Sequence, residues 1–121
     1  MARILIIDDE PQIRNMLKQM VERAGYDAEI AENGRDGLKL NAENPADLII
    51  TDIFMPEKEG IETIMALRKD HPDTKIIAIS GGGCKGQVNY LKVAKSLGAM
   101  RTLNKPIERH RLLETIQELL A

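Results

Sequence analysis

The sequence has few of the side chains that form covalent cross-links or stacking surfaces. Its 121 residues include one cysteine, no tryptophan, two tyrosines and one phenylalanine. A single cysteine excludes an intramolecular disulfide and a CxxC zinc site, and it is compatible with a reducing compartment. So few aromatic rings leave little surface on which single-stranded nucleic acid could stack.

The chain also lacks a strong charge of either sign and a long apolar run. Its net charge is −2, so no basic field draws it toward nucleic acid or an anionic membrane. The N-terminal apolar run, residues 4–7, is too short for a signal-peptide core or a membrane span. We therefore expect a cytoplasmic protein with no direct contact to membrane or nucleic acid.

The length and the balance of residue types predict one globular domain over residues 1–121. Hydrophobic residues make up 43% and charged residues 30% of the chain, which is an ordinary globular composition. A chain of this length buries a core without disulfides or structural metals.

Short apolar runs alternate with longer amphipathic segments. The apolar runs, interpreted as buried parallel strands, are 4–7, 28–31, 48–50, 76–79 and 100–103. The amphipathic segments, interpreted as helices, are 11–24, 33–43, 59–70, 87–97 and one that begins at Pro106. The first segment places Ile13, Met16, Leu17, Met20 and Ala24 on one face and is ended by Gly25, and the last segment is expected to bury Ile107. Five successive βα units predict an α/β fold: a flavodoxin-like, doubly wound parallel sheet with strand order 2-1-3-4-5.

Polar side chains follow the ends of the predicted strands. They are Asp8, Asp9 and Glu10 after the first strand, Asp52 after the third, Ser80 after the fourth and Lys105 after the fifth. In a sheet of this order, ligands bind beyond the carboxyl ends of the strands where the order reverses, between strands one and three. We expect Asp8, Asp9, Asp52 and Ser80 to converge there, with Lys105 reaching inward on its long stem.

Three neighbouring carboxylates repel one another unless a cation lies between them. A cluster rich in oxygen and free of sulfur and imidazole suits Mg²⁺, which takes one or two carboxylates together with phosphate oxygens. One aspartate is then left as a nucleophile, and Asp52 is best placed because its strand is central. Its attack on a phosphoryl donor would give an aspartyl phosphate, with the metal and Lys105 neutralising charge and Ser80 donating its hydroxyl.

Each of these residues also has a purely structural explanation. Asp9 or Glu10, just before Pro11, stands where a helix cap belongs. Asp52 is placed to bond to its own backbone, and Ser80 and Lys105 are common loop residues. These explanations do not account for the whole set at one edge of one sheet, so we prefer the functional interpretation.

The same residues resemble those of the response-regulator receiver family. The pair Asp8-Asp9 is similar to the family's acidic metal-binding pair, and the segment 52–56 is similar to the one that carries its phosphoaccepting aspartate. Ser80 matches the hydroxyl switch residue. Lys105-Pro106 matches the essential lysine, whose bond to proline is typically cis in the family. The resemblance covers nearly the whole chain.

This resemblance implies a role in two-component signalling. Phosphoryl groups would come from a sensor histidine kinase or a histidine phosphotransfer protein, and many family members also accept them from small donors. Asp9, Asp52 and the backbone carbonyl of Phe54 would coordinate Mg²⁺, with Asp8 further from the metal. Phosphorylation would shift the surface formed by the fourth and fifth helices and the fifth strand, which controls a downstream protein target or an output domain. The resemblance also implies that the domain would not be an enzyme beyond catalysing its own phosphorylation and dephosphorylation.

Some positions depart from the family pattern or govern its kinetics. Thr102 stands where the family usually has an aromatic residue or histidine, which predicts switching without an aromatic rotamer. Phe54 and Gly82 occupy the two positions that influence phosphoryl lifetime. Glycine has no side chain to orient an attacking water, and Phe54 is placed to shield the site. We therefore predict slow autodephosphorylation.

Other functions fit the sequence less well. Residues 81–86 match G-x-G-x-x-G, but they follow the fourth strand, and too little chain remains for a dinucleotide-binding fold. Dehalogenase-like phosphatases need a second aspartate where Phe54 stands. A phosphate-independent receiver-fold interaction module would be expected to lose an acid or the lysine. The sequence leaves open the cognate kinase and output, whether the receiver stands alone or belongs to a longer chain, and whether phosphorylation drives dimerisation.

Overall fold

The structure is a computed structural model that describes residues 2–53, 59–80 and 98–121. Its strands are β1 (Arg3–Ile7), β2 (Asp27–Ala31), β3 (Leu48–Asp52), β4 (Lys75–Ser80) and β5 (Arg101–Asn104). The helices in the described ranges are α1 (Pro11–Arg23), α2 (Gly34–Glu43), α3 (Glu59–Asp70) and α4 (Arg109–Leu120). Three sequence-based predictions lie outside the described residues: the helix at 87–97, the glycine-rich segment 81–86 and Phe54.

The described strands form one parallel sheet in the order β2-β1-β3-β4-β5, which confirms the predicted topology. In its centre, Ile6 of β1 lies opposite Ile30 of β2 and Ile50 of β3. The chain leaves β1 toward β2 on one side and returns to β3 on the other. The carboxyl ends of β1 and β3 therefore flank the point where the strand order reverses.

The core lies on both faces of the sheet because alternate strand residues point to opposite sides. In β1, Ile4 and Ile6 pack with α1 and α4, whereas Leu5 and Ile7 pack on the side of α2 and α3. Fully burying one such aliphatic side chain contributes about 1.5–3 kcal/mol. Gly37 lets α2 approach β1 closely, because a Cβ there would overlap the Ile7 side chain. Helices on both faces confirm the doubly wound arrangement.

The buried face of α1 differs in one position from the predicted one. The pattern placed Ala24 on this face, but Ala24 is exposed and follows the helix. Val21, four residues after Leu17, is buried instead, because residues at that spacing lie on the same side of a helix. Gly25 has a φ of 98°, a left-handed conformation that ends the helix as predicted.

The last helix begins at Arg109, not at Pro106 as the apolar pattern predicted. Glu108, which precedes it, has an extended backbone with φ −83° and ψ 127°, so helical hydrogen bonding starts only after it. Ile107 nevertheless packs with Leu112 in the core, which explains why it fitted the helical pattern. The Lys105–Pro106 bond is cis, as the resemblance implied. No helix within the described ranges is both long and apolar enough to cross a membrane.

Candidate acidic site

Four carboxylates meet at the carboxyl edge of the sheet, where the strand order reverses. Asp8 and Asp9 follow β1 directly, Glu10 precedes α1, and Asp52 is the last residue of β3 rather than the first residue after it. Each side chain offers an oxygen, and these oxygens all lie within 4.8 Å of one another. Parallel strands bring their carboxyl ends to one edge, so this convergence follows from the topology.

Lys105 reaches the cluster from the far side of β4. Its Nζ lies 2.9 Å from Asp52 Oδ2, 2.9 Å from Glu10 Oε1 and 3.2 Å from Asp8 Oδ2. The geometry makes the first two contacts hydrogen bonds. The structure thus brings Lys105 together with the predicted acids, although β4 separates its strand from β3.

Asp8 is the most buried acid of the cluster. Its Oδ1 accepts a hydrogen bond from the Glu10 backbone N–H at 2.9 Å, and α1 is tied to the same place because Arg14 donates to the Asp8 carbonyl. Its Oδ2 forms an ion pair with Lys105 Nζ at 3.2 Å but accepts no hydrogen bond within the described residues. Burial raises the pKa of Asp8 to about 6, and the charge of Asp52 adds to this rise.

The neighbouring charges also shift the pKa values of Asp9 and Lys105. Although Asp9 is exposed, partial loss of its hydration beside the cluster and the charge of Asp52 raise its pKa above the ordinary value. Burial alone would lower the pKa of Lys105, but its hydrogen bonds to Glu10 and Asp52 and the neighbouring carboxylate charges raise it instead. Lys105 is therefore a permanent cation at neutral pH, whereas Asp8 holds its negative charge at an energetic cost.

Ser80 is buried at the end of β4, beside the cluster. Asp52 pairs in register with Ile79, so Ser80 lies one residue further along the neighbouring strand. Its carbonyl accepts the Lys105 backbone N–H at 2.7 Å, which ties the ends of β4 and β5 together. Thr102 is half-buried in β5, opposite Ala78.

Glu10 is the site residue that the sequence reasoning missed. The sequence suggested a helix cap at Asp9 or Glu10; Glu10 does occupy the N-cap of α1, but its side chain makes no capping hydrogen bond within the described structure. It contacts Lys105 instead. Three consecutive acids after the first strand were the available signal. Which of them would meet a lysine 95 residues away depended on the packing of β5.

The donor set fits a hard divalent cation. Its ligands would be carboxylate oxygens, which Mg²⁺ prefers, and Asp8 Oδ2 is a buried oxygen that lacks a hydrogen-bond donor among the described residues. The nearby ammonium offsets only part of the negative charge, so a cation would relieve the repulsion. Asp8 and Asp52 are buried while Asp9 and Glu10 are exposed, so one side of the cluster remains open.

The chain is similar to known proteins over nearly its whole length. Residues 4–117 match the response regulator receiver domain. Protein PilH of Pseudomonas aeruginosa is 37% identical over 121 residues, which cover 100% of this chain and 99% of PilH. Chemotaxis protein CheY of Thermotoga maritima is 36% identical over 117 residues, or 96% of this chain and 95% of CheY. Transcriptional regulatory protein CpxR of Escherichia coli is 32% identical, and there the match spans 50% of the relative.

Solved structures show the same similarity. A response regulator receiver domain protein from Clostridium thermocellum superposes with a TM-score of 0.89 at 30% identity, covering 98% of this chain and 94% of that one. Chemotaxis protein CheY4 of Vibrio cholerae superposes with a TM-score of 0.86 at 31% identity, covering 98% of both chains. With matches over nearly its whole length and the acidic edge in place, this chain belongs to the response regulator receiver domain family of two-component systems.

Proposed function

We propose that residues 1–121 form one cytoplasmic receiver domain in which Asp52 accepts a phosphoryl group from a histidine kinase or a histidine phosphotransfer protein. The observation that carries this proposal is the place of Asp52. Its carboxylate is 2% exposed, ends the central strand of the acidic edge and lies 2.9 Å from Lys105 Nζ. A buried carboxylate held against a permanent cation, in a cluster that is open on one side, is suited to attack phosphorus.

The proposed step is an in-line transfer. A carboxylate oxygen of Asp52 forms a bond to phosphorus while the bond from phosphorus to the donor nitrogen or oxygen breaks, and the leaving group takes that electron pair. Asp52 loses its own charge, and charge remains on the phosphoryl oxygens. Lys105 already donates a hydrogen bond to Asp52, and its ammonium is placed to donate to a phosphoryl oxygen after the transfer.

The acidic residues are proposed to hold Mg²⁺. Asp9, Asp52 and the carbonyl of Phe54 are the proposed ligands, and the Phe54 carbonyl stays a prediction because it lies outside the described residues. The buried Asp8 Oδ2, without a hydrogen-bond donor among the described residues, supports giving Asp8 a larger part in the site than the resemblance implied. When bound, the cation would neutralise charge on the phosphoryl oxygens.

The output is proposed to pass through Ser80 and Lys105. The Ser80 hydroxyl would donate to the phosphoryl group, and the hydrogen bond between the Ser80 carbonyl and the Lys105 N–H couples β4 to β5. The surface that changes would comprise β5, α4 and the predicted helix at 87–97, and it would face a downstream protein target or an output domain. A charge that biases a two-state element is a common switching mechanism.

Thr102 is proposed to be passive in this switch, because a small half-buried side chain in β5 cannot supply an aromatic rotamer change. A structure of the phosphorylated form would test this, and a large coupled motion of Thr102 would contradict it. Slow autodephosphorylation remains a prediction, since Phe54 and Gly82 lie outside the described residues. An unchanged phosphoryl lifetime in Phe54→Asn and Gly82→Glu variants would exclude the proposed cause.

Intact mass measurement after incubation with Mg²⁺ and acetyl phosphate tests the proposal. We expect an adduct of one phosphoryl group in the wild-type chain, none in Asp52→Asn and none after metal chelation. Asp73→Asn is the matched control, because Asp73 is exposed in the loop between α3 and β4, at the opposite edge of the sheet. This control should accept the phosphoryl group like the wild type.

Two other results would change the assignment. An adduct that persists in Asp52→Asn would place the phosphoryl group on another residue. If neither acetyl phosphate nor a phosphorylated histidine donor modifies the folded protein, the function becomes that of a phosphate-independent interaction module.

A further inference from the structure

The Lys105 ammonium is shared by three carboxylates. It donates hydrogen bonds to Asp52 and Glu10, both at 2.9 Å, and lies 3.2 Å from Asp8 Oδ2. The phosphoryl chemistry proposed above uses this ammonium to neutralise a new, more negative group. The arriving phosphoryl group therefore competes with these carboxylates for the ammonium.

Glu10 differs from the other two partners in its surroundings. Its side chain is 60% exposed, whereas those of Asp8 and Asp52 are 0% and 2% exposed. Its backbone is held on both sides, because its N–H donates to Asp8 Oδ1 and its carbonyl accepts the Arg14 N–H at 3.0 Å. The Glu10 carboxylate can therefore move from Lys105 into water by side-chain rotation alone, while the two aspartates are enclosed.

We infer that Glu10 is a displaceable counter-ion, which holds Lys105 before phosphorylation and releases it to the incoming phosphoryl group. This inference rests on the proposed phosphorylation of Asp52. Glu10 acts through Lys105 and is a positioning residue. Its carboxylate competes with a phosphoryl oxygen for the same N–H donor, and its negative charge repels an anionic donor. Both effects slow phosphorylation of the resting protein.

The first test compares Glu10→Gln with the wild type in phosphorylation by acetyl phosphate. The variant keeps the size of the side chain and removes its charge. We expect the apparent second-order rate constant to rise roughly two- to five-fold, the range for loss of one exposed charge contact. The change should appear mainly as a lower half-saturating donor concentration, and it should shrink at high salt.

A second donor separates an electrostatic effect from a general structural one. Phosphoramidate carries less negative charge than acetyl phosphate at neutral pH, so the gain in Glu10→Gln should be smaller with it. Glu43→Gln is the matched control, because Glu43 is exposed at the end of α2, on the opposite edge of the sheet. Its rates should equal those of the wild type with both donors.

Thermal unfolding tests the Glu10–Lys105 contact without any phosphoryl donor. In the Lys105→Met protein, the Glu10 carboxylate has no ammonium beside it and is only repelled by the aspartates. Adding Glu10→Gln to that protein should therefore change Tm in a more positive direction than adding it to the wild type. Equal changes in Tm would show that Glu10 and Lys105 do not interact.

The kinetic outcomes are equally decisive. Rates in Glu10→Gln that match those in Glu43→Gln, or equal gains with both donors, would overturn the role of Glu10. If the wild-type chain accepts no phosphoryl group, the proposed function fails and this inference fails with it. A Tm difference that persists in that case would make Glu10–Lys105 a structural ion pair only.

Discussion

The two edges of the sheet treat charge in opposite ways. At the amino edge, separate groups of Arg3 each bind a different neighbour. Its backbone N–H donates to Asp47 Oδ2 at 2.8 Å, its Nε donates to the Asn44 carbonyl at 3.1 Å, and its guanidinium pairs with Glu29. Every acid in this set has its own donor, and the Arg3–Glu29 pair is partly exposed to water.

At the carboxyl edge, one ammonium serves three acids. Asp8 and Asp52 are buried there, and Asp8 Oδ2 has no hydrogen-bond donor among the described residues. Burial raises the pKa of Asp8 to about 6, so its charge opposes folding at neutral pH.

This difference separates an edge whose charges stabilise the fold from an edge whose charges are arranged for function. Matched pairs at the amino edge lock the start of β1 to its neighbours. Excess buried negative charge at the carboxyl edge lowers the stability of the protein without a ligand. A bound cation would neutralise this charge, and an anionic ligand could bind the Lys105 ammonium. A strained cluster of this kind is typical of functional sites.

The largest contrast is expected between substitutions of the two cations. Lys105→Met leaves the buried carboxylates without their ammonium and should lower the free energy of unfolding by about 3 kcal/mol. Arg3→Met should lower it by about 1 kcal/mol, because its partners are more exposed. Urea unfolding of both variants at neutral pH measures the difference, and equal losses would contradict the contrast.

Asp8→Asn should stabilise the metal-free protein by about 3 kcal/mol at neutral pH, since each pKa unit corresponds to about 1.4 kcal/mol. The folded-state pKa of Asp8 is raised from 3.8 to about 6. The wild type therefore regains stability as pH falls through about 6, and the advantage of the variant disappears below the ordinary pKa.

Urea unfolding across this pH range, with a chelator present, measures the advantage. Asp47→Asn at the amino edge is the control and should destabilise, because it weakens the acceptor for the Arg3 backbone N–H. A loss of stability in Asp8→Asn at neutral pH would refute the interpretation of this edge.

Affinity for Mg²⁺ should fall as pH drops below about 6, because protons compete with the metal for Asp8. The loss should approach about tenfold per pH unit for one competing proton. Isothermal titration calorimetry at several pH values measures this effect. Asp8→Asn should bind Mg²⁺ more weakly but with less dependence on pH, and a wild-type affinity that stays constant down to pH 5 would count against Asp8.

The smallest effect is expected from Glu29→Gln at the amino edge. This variant removes a partly exposed ion pair and should cost roughly 0.5 kcal/mol or less. The cost should vanish at high salt, which screens such pairs. A loss above that of Asp47→Asn would show that the ion pair, rather than the hydrogen bonds of Arg3, holds this edge.

Much of the fold was predictable because hydrophobic pattern is a local property. Alternating apolar runs and amphipathic segments predicted the strands, the described helices and the strand order. The errors fell at element ends, where packing competes with pattern. Ile107 fitted the pattern of the last helix yet precedes it, and Val21, not Ala24, completes the buried face of α1.

The sequence by itself determined which chemical groups stand at the carboxyl edge, because residues that follow parallel strands share that edge whatever the details of packing. Only the tertiary structure decided how those groups differ. Of two adjacent aspartates, Asp8 is enclosed and Asp9 is exposed. The third acid, Glu10, meets Lys105 across 95 residues of chain. A carboxylate's burial and partner depend on which strands and helices lie beside it, and that information is not local in the sequence.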